Sequence, residues 1–339
     1  MPADSFEQLE GMTVAGGIVA AIAVPVGVTL AVVSRGLGIS LIPPWRHSQS
    51  RFTGVEILFI FGFYYTLMIV GPQVLDSLGF YGAIYGPEVP KAENFRVIRH
   101  LWVTLFIAPL LFVGSLAIPR FMRSQTVKFE PKRLPGQIAF AVLGWLVVTP
   151  MVLGIYYVTL LVVQNIGGAQ QEHPLTQSGP GASLLEQGFF GFVVCVMTPL
   201  AEEVLFRGLL VRWAAGRWYR PWILVAAAAF FLLMTMTPER VDFGPIALAA
   251  LFGMGLYAIQ KFDGYRPRFA VLTCSAVFSS AALFGSVHIS VWPTPVPLFF
   301  LGFALGYVTL RTRSIIGPVV IHGLFNAVSF VFLLRTGPT

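Results

Sequence analysis

Two adjacent carboxylates and a guanidinium interrupt an otherwise apolar run, Pro199-Leu-Ala-Glu202-Glu203-Val-Leu-Phe-Arg207-Gly208. Paired acids can divide the work of a general base: one is held by a fixed partner while the other takes a proton from water. At about 100° per residue, Glu203 and Arg207 fall about 40° apart on a helix, whereas Glu202 and Arg207 fall about 140° apart. Arg207 is therefore expected to neutralise Glu203 and leave Glu202 available; an ion pair that only orders its surroundings is the alternative. Two further sets follow, Phe284-Gly-Ser-Val-His288 and His322-Gly-Leu-Phe-Asn326. His322 and Asn326 are spaced i, i+4, which puts two donors on one face, suited to the oxyanion of a tetrahedral intermediate. His288 would orient or deprotonate a water beside Glu202. Glu202, His288 and His322 with a water would also satisfy catalytic zinc, although no H-E-x-x-H run occurs. Ser286 and Ser290 flank His288 without an evident base to activate them.

The elements that must position these groups are read from composition. Of the 339 residues, 56% are hydrophobic and only 11% are charged, a balance foreign to soluble domains. Apolar runs near the length of ~20 residues that crosses a bilayer recur throughout. None alternates as a membrane strand would. The fold class is an all-α polytopic bundle of transmembrane helices with about 8–10 spans. Candidate spans cover residues 12–34, 54–75, 101–118, 136–164, 183–211, 221–236, 244–260, 269–291, 297–310 and 315–334. The opening stretch, preceded by Asp4, Glu7 and Glu10 and by no base, is expected to be a retained span rather than a signal peptide. Sixteen of the 22 basic residues fall in alternate loops, which assigns those loops to the cytoplasm and both termini to the other side. The net charge of +7 is then a matter of anchoring to anionic lipid, not of nucleic-acid binding. Each mid-helix charge costs about 2.5 to 3.5 kcal/mol on insertion scales, so Glu202, Glu203 and Arg207 mark a functional site by their depth. Cys195 and Cys274 lie in apolar stretches without metal-ligand spacing.

The ordered motifs Glu202-Glu203-x-x-x-Arg207, Phe284-x-x-x-His288 and His322-x-x-x-Asn326 resemble those of the CPBP intramembrane proteases, which comprise type II CAAX prenyl endopeptidases and bacteriocin-processing (Abi) proteins. The resemblance covers about residues 183 to 334. It implies that Glu202 and His288 activate water and that His322 and Asn326 stabilise the oxyanion, without a metal. It further implies a membrane-delivered peptide or protein as substrate, whether CAAX-like, signal-like or bacteriocin-like, and a multi-pass place in the cell (inner or plasma) membrane. Residues 1–182 would supply about four N-terminal spans and an external loop, and 183–339 the protease core. Glu202 and His288 stand 86 positions apart, wider than is usual in the family; an inserted helical hairpin near 219–268 accounts for the surplus. Depth poses a condition. Glu202 should lie about 15 Å from Arg212 and His322 about 13 Å from Arg313, but His288 about 30 Å from Arg268. Tilt, a kink or a longer cytoplasmic stub must close that difference. Two non-enzymatic readings use the same residues: a peptide-binding or immunity membrane protein, and a proton-coupled transporter, for which the chain shows no matching repeat halves.

Overall fold

The computed structural model describes residues 52–86, 93–117, 134–165, 184–234, 243–261 and 268–336. Among them there is no strand. Ten helices follow in order: α1 (Gly54–Ser77), α2 (Phe80–Tyr85), α3 (Glu93–Ala117), α4 (Leu134–Asn165), α5 (Leu185–Ala214), α6 (Arg220–Leu233), α7 (Phe243–Lys261), α8 (Arg268–Ser286), α9 (Pro295–Thr312) and α10 (Ile316–Thr336). The candidate span 12–34 and, but for Asn165, the external loop 165–182 lie outside the described residues.

Six of the helices are long and apolar enough to cross a membrane, and three shorter apolar ones accompany them (Arg220–Leu233, Ala270–Ser286, Ile316–Val331). The protein is thus an all-α, multi-pass membrane bundle. At 14 residues, α6 is about 21 Å long and stops short of a ~30 Å core. Side chains such as Val55, Leu58 and Phe59 on α1 stand exposed; a face of this kind is tolerated where lipid rather than water covers it. Thr53 begins α1 with a capping box, its hydroxyl accepting from Glu56 N at 3.2 Å while Glu56 Oε2 accepts from Thr53 N at 2.8 Å.

The buried side of the bundle centres on α5. It is packed by α3, α8 and α10, with α9 behind them, and α4 closes the bundle against α9 and α10. Helices α6 and α7 form a hairpin that packs on α8, where the sequence expects an insertion. The main difference from the expected spans lies in 269–291. Helix α8 ends at Ser286 and a 3₁₀ turn, Ile289–Val291, follows. His288 therefore stands on a non-helical corner, with φ −96° and ψ 18°, and not within a span.

Candidate active site

Helix α5 carries two π-helical segments, Val193–Met197 and Val204–Leu210, which bracket a short α-helical stretch, Thr198–Glu203. Pro199 explains the first of these: without an N–H it cannot serve the carbonyl four residues back, so the ladder re-registers around it. The second segment contains Arg207, whose side chain reaches back to Glu203 at the end of the α-helical stretch. Such interruptions are frequent at functional sites.

Glu203 is fully buried, Arg207 is 1% exposed and His322 is 4% exposed. Arg207 Nη1 donates to Glu203 Oε1 at 2.8 Å, and His322 Nδ1 donates to the same oxygen at 3.0 Å. Arg207 Nη2 also donates to Gly302 O on α9 at 3.1 Å, and its guanidinium lies 4.4 Å from the centroid of the Phe284 ring. One cation thus ties together α5, α8 and α9 in a low-dielectric interior where its charge must be matched. Gly302 admits this approach: a Cβ built there would stand 3.2 Å from Arg207 Nη2 and 3.2 Å from Ala281 Cα.

Glu202 points elsewhere. Its Oε1 lies 3.9 Å from His288 Nε2 and its Oε2 3.7 Å from His322 Nε2. Both separations exceed a direct hydrogen bond and suit one shared water. His288 Nδ1 lies 2.8 Å from Phe284 O, so that nitrogen carries the proton and Nε2 turns its lone pair towards Glu202. Side-chain exposure rises from His322 (5%) through Glu202 (15%) to His288 (33%), which makes the His288 side the open one. Among the described residues no group of three or more His, Cys, Asp or Glu side chains is drawn together closely enough to hold a metal ion in the metal-free structure.

The depth condition is met at the ends of α8. Ser280 Oγ donates to Phe206 O at 3.3 Å, which sets the level of α8 against α5. From Ser280 back to Arg268 is about 18 Å and from Phe206 on to Ala214 about 12 Å, so α8 starts about 6 Å beyond the end of α5. At the other end the helix stops two residues before His288, and the imidazole folds back over the last turn to Phe284 O.

Asn326 is placed differently from the other predicted residues. Its Nδ2 donates to Val194 O in the first π-helical segment at 2.9 Å, and not to the Glu202 carboxylate. Sequence reading missed Phe284 as a participant, although it opens the second motif. Its ring lies 5.1 Å from that of His288 and 5.7 Å from that of His322, besides stacking on Arg207. The backbone acceptors Val194 O, Phe206 O and Gly302 O carry no side-chain signal.

Fold and site together define a class, that of polytopic helical membrane proteins with a buried glutamate–arginine–histidine cluster opening on a second acid and histidine. Residues 185–264 and 257–328, the site-bearing part of the chain, match the family model for type II CAAX prenyl endopeptidase Rce1-like proteins, a likeness that points to a protease. No curated protein and no solved structure matches the chain.

Proposed function

We propose that the protein is an intramembrane endopeptidase that hydrolyses a peptide bond of a membrane-delivered substrate through water activated by Glu202 and His288, without a metal. What supports the reading is the pairing of Glu202 Oε1 with His288 Nε2 at 3.9 Å beside a buried cluster that holds the second histidine. A water there donates one hydrogen to the Glu202 carboxylate and the other to the His288 lone pair. Glu202 takes the first proton as the oxygen attacks the scissile carbonyl carbon. The carbonyl electron pair becomes the oxyanion. Collapse of the intermediate re-forms the carbonyl and breaks the C–N bond, and the proton on Glu202 passes to the leaving nitrogen.

The oxyanion needs a donor. His322 spends Nδ1–H on Glu203, so its Nε2 donates only when the ring is an imidazolium. Glu203 and Arg207 then orient His322 from behind.

Lipid is the working environment, and a substrate with a CAAX-like, signal-like or bacteriocin-like segment would reach Glu202 from the His288 side in the cell (inner or plasma) membrane. The test is cleavage of a library of membrane-anchored peptides by the purified protein and by Glu202→Gln, each with and without a chelator. Cleavage by the native protein with chelator present, and none by the variant, is the expected result. Loss on chelation alone would move water activation to a metal. No cleavage by either would leave peptide binding or transport as the function of the cluster.

A further inference from the structure

Pro199 removes a donor from the turn that carries Glu202. Residue 199 would serve Cys195 O in an α register and Val194 O in a π register, and proline can serve neither. The preceding amide does not help, because Thr198 N donates to Val193 O. A helix carbonyl without a donor inside a membrane costs several kcal/mol unless another group fills it. Asn326 Nδ2 fills Val194 O at 2.9 Å. One turn earlier on α10, Gly323 lies so close to α5 that a Cβ built on it would stand 2.4 Å from Cys195 O. Both carbonyls that Pro199 fails to serve thus face α10, one taken by an amide and the other met at a distance only glycine allows. His322 stands between these contacts and the acids, with Nδ1 on Glu203 and Nε2 3.7 Å from Glu202.

We propose that Asn326 is a positioning residue: by filling the carbonyl that Pro199 deprives of a donor, it locks α10 onto α5 and holds His322 in place against Glu202 and Glu203. This rests on the reading of His322 as part of the catalytic site. It gives the i, i+4 asparagine a place in the frame of the site, with one of its two Nδ2 hydrogens spent on Val194 O. The three residues Pro199, Gly323 and Asn326 form one device, since the proline creates the unsatisfied acceptor that the asparagine answers.

The test is a double-mutant cycle on the full-length protein in detergent, with Asn326→Ala, Pro199→Ala and the double variant measured for both Tm and cleavage of a membrane-anchored peptide. In the natural background, Asn326→Ala should lower Tm by a few degrees and kcat by about ten- to hundredfold, the range seen when a group behind a ligand is lost, with KM little changed. In the Pro199→Ala background, residue 199 regains an N–H that serves the carbonyl from within α5. There the Asn326→Ala effect on kcat should shrink to about threefold or less, near the limit of simple additivity, and the Tm loss should largely vanish. Recovery of folded Asn326→Ala protein only in the Pro199→Ala background counts the same way. An equal loss of kcat in both backgrounds with no change in Tm would make Asn326 a direct oxyanion donor and overturn the proposal; so would an equal loss of Tm. The Tm arm stands whether or not the protein cleaves the chosen peptide, so failure of the positioning role is distinguishable from failure of the protease reading.

Discussion

At the scale of single residues, the two glutamates differ in what surrounds them rather than in what they are. Glu203 is spent on Arg207 and His322 at 2.8 and 3.0 Å, while Glu202 faces two imidazole nitrogens at distances that leave it a proton acceptor. Glu202→Gln keeps the shape and removes the base, so cleavage should fall by about 10² to 10⁴ with the protein still inserted and monodisperse, as checked by a peptide assay alongside size-exclusion chromatography. Arg207→Ala belongs to a different class of change. It strands a buried carboxylate and removes the side-chain donor to Gly302 O. A loss of about 3 to 5 kcal/mol is expected, read as a lowered melting temperature in detergent. Adding Glu203→Gln should recover part of that loss, because no unpaired charge then remains.

Among the elements, α5, α8 and α10 each contribute a motif, and each is held by a contact that sequence spacing does not specify. The corner that carries His288 depends on how closely α8 meets the start of α9. A Cβ built on Gly285 would stand 2.5 Å from Pro295 O and 3.1 Å from Phe299 N, backbone atoms that cannot rotate away. Gly285→Ala should therefore open the α8–α9 hairpin and displace His288. Cleavage is expected to drop about 10²-fold, the cost of misplacing a catalytic group by about 1 Å, with less effect on membrane insertion. Kinetics on the purified variant, paired with a melting curve, separates that outcome from general unfolding.

On the scale of the whole molecule, the N-terminal helices are not a detachable appendage. Helix α3 packs on α5, and α4 packs on α9 and α10, so the family-matched region buries its site against spans outside the match. Residues 183–339 expressed alone should aggregate or remain inactive, and co-expression of 1–182 should restore a soluble complex in detergent. A fragment that folds and cleaves by itself would show instead that α1 to α4 serve another purpose.

The sequence by itself determined the all-α membrane architecture, because apolar runs long enough to span lipid admit no other way to satisfy their backbone. It also determined which charges are costly enough to need a reason, and the four-residue spacing of Glu203 and Arg207 already puts them on one helical face. Tertiary structure alone decided the rest. The end of α8 at Ser286, which turns His288 back onto Phe284 O, and the partner of Asn326, a backbone carbonyl on another helix, depend on contacts between segments far apart in the chain. Periodicity reports which face of a helix a side chain occupies. Which neighbour meets that face, and whether a backbone carbonyl there lacks a donor, is settled only when the helices pack.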